Sequence, residues 1–339
     1  MKGRGSLFSL ALVLFSLSAA LLSVASSKIA DFLCRRVSDP LRGAIAALFA
    51  TFPIPVCEVA FLSLFVLLPL LLRSLFRAAS DGVRWRKLSR RAFRFASVLL
   101  SLFLLLSVVP ARRTPLPAGE ATPDADDFAA FAAALADGIT ALDRFLPTDK
   151  PVSPSPASLA AALSATGLCP IRPRGAKKSL LPGVLSKIGL LGYHFALTGE
   201  AIVDPSAPAY TVPFTAAHET AHASGILRED QASYLAYLAL AASPDPSLRY
   251  AGLMGALDAV LPHLSPADLS ALVFKLPARV KTDLALFDQR LSETGGAARI
   301  VGGINGTGIA LRGGGSYDGF PDLACRRFLT DRRLPAYPE

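Results

Sequence analysis

A mainly α-helical fold is predicted: three N-terminal transmembrane helices, then an α-rich domain with a small edge strand or hairpin. Three observations predict it. The 339-residue chain is 52% hydrophobic with a mean hydropathy of +0.44, too apolar for an ordinary soluble domain. Uncharged apolar runs of membrane-spanning length lie within its first 110 residues. Beyond them, apolar residues recur mostly at helical spacing, and residues 193–203 (YHFALTGEAIV) are the best strand candidate.

Residues 6–25 form the first uncharged apolar run, behind Lys2 and Arg4. The same run can be read as a signal peptide cut after Ser-Val-Ala at 23–25, although its apolar part is long for a signal core. Residues 56–72 form a second span that opens with Glu58, and residues 95–109 a third, flanked by arginines able to snorkel. Between the first two spans, residues 41–55 are apolar but contain Pro53 and Pro55, so an interfacial or re-entrant segment is expected.

Residues 73–94 carry eight arginines and lysines against the single acid Asp81. The positive-inside rule makes this loop and the N-terminus cytoplasmic and leaves everything after Pro110 extracytoplasmic. Lys28, Arg35, Arg36 and Arg42 in the first outer loop are a counter-sign, outweighed by the more lopsided second loop. The formal charge of +9 is therefore a topology signal with lipid-headgroup contact, and nucleic acid is not an expected partner.

Residues 1–110 are thus the membrane domain, 111–127 a Pro-, Ala- and acid-rich linker, and 128–339 the extracytoplasmic domain. Helices are expected at 128–145, 159–166, 247–261, 266–276, 280–291 and 320–328. Residues 170–183 are basic and proline-punctuated and read as a solvated loop. The glycine-rich stretch 302–319 lacks a phosphate-loop pattern and reads as a surface segment, able to act as a lid. No CxxC is present, and a Cys169–Cys325 disulfide is conceivable in an oxidising compartment.

The chemistry concentrates in residues 213–240 (PFTAAHETAHASGILREDQASYLAYLAL), which hold two of the four histidines. His218 and His222 are four residues apart, so on a helix both imidazoles converge on one metal ion. Glu219 projects beside them, placed to take a proton from a metal-activated water. Gly225 offers a left-handed break, after which a second helix begins near Arg228. Its first side chain, Glu229, is the expected third ligand, with Asp230 in reserve. Three protein ligands leave the fourth position open, as a catalytic zinc site requires. Residues 193–203 lie close before this segment and could pair with an extended substrate, while His194 reads as a structural histidine. Tyr193, His263 and Tyr317 are the candidate oxyanion donors.

The run TGEA at 198–201, then PFTAAHETAH, then GILREDQASYLAYL, resembles an uncharacterised family of bacterial multi-pass membrane proteins, domain-of-unknown-function family number 3810. Members typically read close to FTGEA, PFTxxHExAHQxG and REDEANFLAYL, with a C-terminal SY that Ser316–Tyr317 matches. The resemblance implies a zincin-like metallopeptidase domain of unestablished substrate, and it favours Glu229 over Asp230. This chain departs at Ala223 (usually Gln), Gln231 (usually Glu) and Ser233 (usually Asn or Asp). The last change bears on the partner of a ligating histidine.

Together these readings lead to the expectation of a membrane-anchored metallopeptidase with Zn²⁺ on His218, His222 and Glu229 and with Glu219 as general base. Its partners would be a peptide or protein substrate and the bilayer. The alternative is a non-catalytic metal-binding or sensor domain that signals through its membrane helices, which would not need Glu219.

Overall fold

The structure is a computed structural model and describes residues 4–79, 82–146, 155–292 and 317–336. Residues 302–316 of the glycine-rich stretch, Ser316 included, lie outside them. The chain is mainly helical and divides by its contacts into two units. The first comprises Met1–Thr114 with Phe195–Gly199, the second Pro115–His194 with Glu200–Glu339.

Among the described residues, three helices are long and apolar enough to cross a membrane, with spans at Leu7–Ala25, Val56–Arg77 and Trp85–Arg112. The first belongs to α1 (Arg4–Ala25) and the second to α4 (Val56–Ala79). The third begins well before the expected residue 95, because α5 (Gly82–Phe103) runs continuously through the arginine-rich stretch. α1 buries Ser9, Ser16 and Ser23, a seven-residue repeat of small side chains. That stripe lets α1 and α5 approach closely, and the Ser16 hydroxyl donates to Ser101 Oγ at 3.1 Å.

Residues 27–49 are helical throughout, as α2 (Ser27–Leu33), a π-turn (Cys34–Ser38) and α3 (Asp39–Phe49). The segment expected to be interfacial or re-entrant is thus helical up to Phe49, and Pro53 and Pro55 fall in the turn after α3. A second π-turn, Leu104–Val108, follows α5 and frees carbonyls from their usual helical partners. The buried Arg42 donates to one of them, the Leu106 carbonyl, and Arg113 forms an ion pair with Asp39 at 2.5 Å.

In the second unit, residues 116–118 of the expected linker make contacts with α10 (Glu229–Ala241) or are buried. The Leu116 amide donates to Gln231 Oε1 at 2.6 Å, the Tyr234 hydroxyl donates to the Pro117 carbonyl at 3.1 Å, and Ala118 is buried. The helices follow their local signals. α6 (Ala125–Asp143) opens with a capping box between Asp124 and Asp127, and α7 (Pro156–Ala165) with Ser155 capping the Ser158 amide and proline at the first position. Asp245 caps α11 (Pro246–Val260) and Ser265 caps α12 (Pro266–Lys275). α13 (Ala278–Ser292) and α14 (Phe320–Asp331) complete the expected set, and a four-residue α8 (Val184–Lys187) follows α7.

α9 (Thr211–Ala223) and α10 (Glu229–Ala241) lie at the centre. Every residue of α10 except Leu238 is buried, since it packs against α7, α9, α11 and α14 at once. A helix enclosed on all sides needs apolar residues all round, which the SYLAYLALA run supplies.

The sheet has three short strands in the order β1-β3-β2: β1 (Lys177–Lys178), β2 (Gly192–Phe195) and β3 (Glu200–Val203). β2 and β3 form the expected hairpin. β1 corrects the solvated-loop reading of residues 170–183, since it pairs in parallel with β3 and Lys177 reaches Glu200 at 2.7 Å. The Cys169–Cys325 disulfide does not form. All four cysteines are free, and these two pack in different clusters, Cys169 beside Leu163 and Ala221, Cys325 with Phe131 and Phe320.

Asp204, fully buried after β3, fixes the loop that leads into β2. Its carboxylate accepts from the backbone amides of Gly183, Ser186 and Ser206 and from the hydroxyls of Ser186 and Ser206, at 2.7–3.1 Å. Burial opposes its ionisation, but these donors outweigh burial and hold its pKa below the ordinary value. A depressed folded-state pKa stabilises the fold above the unfolded pKa, near 4, and the benefit disappears as pH falls through the folded value. Acid titration of stability should therefore show a loss below about pH 4 in the wild type that is absent in Asp204→Asn. That variant should be less stable at neutral pH by about 2–3 kcal/mol, measured by chemical denaturation.

Candidate metal centre

α9 ends in a turn that only a left-handed residue can make. Gly225 has φ +102°, its amide returns to the His222 carbonyl at 3.0 Å, and the Ile226 amide returns to Ala221 at 3.1 Å. Ile226 is buried with Ala221 in one apolar cluster, which locks the turn. The turn delivers the Ile226 carbonyl to His222 Nδ1 at 2.7 Å and starts α10 at Glu229. The glycine break and second helix are therefore as expected.

The two histidines and Glu229 come together, all three buried. Glu229 Oε2 lies 3.2 Å from His218 Nε2 and 3.1 Å from His222 Nε2. A carbonyl only accepts, so His222 carries a proton on Nδ1 and, when neutral, presents the lone pair of Nε2 to the centre. A lone pair then faces a carboxylate oxygen across about 3 Å, and that arrangement requires a cation between them, either a second proton or a metal. Burial disfavours charge on His222, yet Glu229 and then Glu219 outweigh burial and raise its pKa. Burial pushes the Glu229 carboxyl the other way, but His222 and His218 more than compensate and hold it far below its ordinary range.

The same donor set suits zinc. With ligand distances of about 2.0 Å, tetrahedral ligands lie about 3.3 Å apart. Two nitrogens and a carboxylate oxygen are a common catalytic set, and all three atoms lie within 4.8 Å of one another. Asp230, the reserve ligand, is engaged elsewhere: it pairs with Arg228 through two contacts at 2.7 and 3.1 Å.

His218 Nδ1 is held by Ser233 Oγ at 3.0 Å. This is one of the positions at which the chain departs from the resembled pattern. A hydroxyl can donate or accept, whereas the oxygen of Asn or Asp only accepts, so serine holds the ring without fixing its tautomer. Gln231, another departure, holds the Leu116 amide rather than anything at the centre.

Glu219 is buried on α9 and lines a cavity of about 420 Å³ together with His218. β2 passes directly against it. A Cβ on Gly192 would lie 3.1 Å from Glu219 Cγ, 2.8 Å from Thr215 Cγ2 and 2.6 Å from the Ile202 carbonyl oxygen, so only glycine permits this approach. His194, two residues on and on the same strand face, has its ring 6.2 Å from that of His222. The sequence reading took His194 as a structural histidine; its nearness to His222 follows from the two-residue spacing from Gly192 once β2 is known to lie along α9. Among the expected oxyanion donors, Tyr193 alternates to the opposite strand face, and His263 stacks on Phe128 with ring centroids 4.6 Å apart. The Tyr317 side chain lies outside the described residues.

A family model described as "Protein of unknown function (DUF3810)" matches residues 35–302. The chain belongs to the DUF3810 family. Comparisons with curated proteins and with solved structures find no match. The match spans the second and third apolar helices and all of the candidate centre.

On the expectation that the centre of this DUF3810 chain holds zinc, Asp230→Asn should leave metal content unchanged, while Glu229→Gln should abolish stoichiometric metal. Ser233→Ala should weaken metal affinity about 10- to 100-fold. Metal analysis after dialysis and competition with a chelator measure both. Gly225→Ala should destabilise the fold by about 1–2 kcal/mol, read by denaturant titration.

Proposed function

We propose that this DUF3810 chain is a membrane-anchored zinc metallopeptidase. The observation that carries the reading is the convergence of His218 Nε2, His222 Nε2 and Glu229 Oε2, with Glu219 beside them on the wall of a cavity. His218, His222 and Glu229 would hold Zn²⁺, which when bound supplies a Lewis acid that acidifies water and polarises a carbonyl. Ser233 and the Ile226 carbonyl keep the two imidazoles turned toward the centre.

Glu219 acts as general base. It takes a proton from the attacking water and returns it to the nitrogen of the breaking peptide bond. β2 is an edge strand of the sheet and lies along α9, so an extended peptide adding to it would present its backbone to Glu219. His194, beside His222, is the donor we assign to the developing oxyanion. The arginine-rich stretch 73–94 supports a topology with this domain on the extracytoplasmic side.

The full-length protein in detergent, incubated with zinc and a peptide library, tests the reading. Wild type should hold one zinc per chain and cleave, and Glu219→Gln should hold zinc and not cleave. Unchanged cleavage by Glu219→Gln would rule out the base assignment, and zinc in both with cleavage in neither would favour a metal sensor. His194→Ala should lower kcat by about 10²- to 10³-fold with KM little changed, by steady-state kinetics.

A further inference from the structure

We propose that the cavity beside Glu219 receives the side chain of the residue that supplies the leaving nitrogen, and that the enzyme cuts in front of large apolar residues. This rests on the peptidase reading and adds a substrate class to it.

Three features of the site lead there. The first is position. The cavity's α9 wall is one stripe of the helix, Thr211, Phe214, Thr215, His218 and Glu219, so it extends from the centre toward the helix N-terminus. His218 and Glu219 line it, while His222 and Glu229 do not. Glu219 hands its proton to the departing amine, so the residue bearing that amine sits on Glu219's side of the scissile bond. An extended peptide on β2 sends alternate side chains to opposite faces, and the one at the new amine faces this stripe.

The second is chemistry. The remaining walls are mostly apolar: Leu190 and Leu191 before β2, Ala259 on α11, Phe287 on α13 and Phe320 on α14. Phe287 also meets Tyr210 edge-on, with ring centroids 6.3 Å apart, giving the pocket an aromatic wall. The one acid lining it besides Glu219 is Asp258, which already has an interaction of its own. Desolvation by such walls favours Phe, Leu or Ile and disfavours Lys or Asp.

The third is size. A cavity of about 150 Å³ suffices to bind benzene. The 420 Å³ here holds the largest apolar side chain together with part of its backbone.

The test uses the full chain in detergent, zinc-loaded, with quenched peptides varied at the residues on either side of the cut. Cleavage before Phe, Leu or Ile should exceed cleavage before Ala, Lys or Asp by about 10- to 100-fold in kcat/KM. Ala259→Trp, which fills the pocket, should move the preference to Ala and Ser, and Phe287→Ala, which widens it, should improve Trp relative to Leu. If Ala259→Trp does not fold, Phe287→Ala decides alone. Binding of phenylalanine amide, a mimic of the released end, gives a readout without turnover. It should exceed alanine amide at least tenfold in affinity, by calorimetry.

Glu219-dependent cleavage with no preference after the cut overturns the inference and leaves the peptidase reading standing. A preference confined to the residue before the cut, or for Lys or Arg after it, does the same. Cleavage of nothing by any variant overturns both.

Discussion

Two imidazole nitrogens and one carboxylate oxygen, buried within 4.8 Å of each other, form the interaction on which the second unit depends. Left alone, buried acceptors facing one another repel, and the cost of burying polar groups without partners is high. The cost is offset by the pairing of Glu229 with both imidazoles, where Glu229 and Glu219 favour a proton on His222, and by the partners of the two Nδ1 atoms. Those partners are the Ile226 carbonyl and the Ser233 hydroxyl, and each comes from an element positioned by α9 or its terminal turn. α10 is accordingly enclosed on all sides, so that Glu229 is held by packing rather than by its own flexible chain.

The small sheet matters for what it places beside the centre. β3 is the middle strand, buried at all four positions, and β2 is carried against α9 by pairing with it. Gly192 removes the side chain that would keep β2 away from Glu219. Asp204, satisfied by backbone and hydroxyl donors, anchors the segment that enters β2, and Leu190 and Leu191 of that segment line the cavity.

The membrane unit follows different physics. Its helices are apolar outward, and α1 packs through serines and alanines because small side chains let helices approach where no hydrophobic force drives them together. Arg42 is the exception, a buried guanidinium. It is accommodated by a carbonyl freed in the Leu104–Val108 π-turn, and Asp39 with Arg113 stands nearby as an ion pair.

By itself the sequence determined the elements whose causes are local. Apolar length determined the three spans, capping residues and prolines set the helix starts, and the HExxH spacing with Gly225 fixed His218, Glu219 and His222 on one helix and Glu229 at the head of the next. Glu229 and Asp230 are adjacent and chemically alike, so choosing between them needed the neighbour that claims one, and Arg228 claims Asp230. Tertiary structure likewise decided that residues 116–118 meet α10, that Cys169 and Cys325 stay apart, and that β1 joins the sheet. It also brought His194 to His222 and enclosed the cavity at Glu219 with residues from α11, α13 and α14. These depend on contacts between residues far apart in the chain, where periodicity and propensity carry no information, and only packing can bring them together.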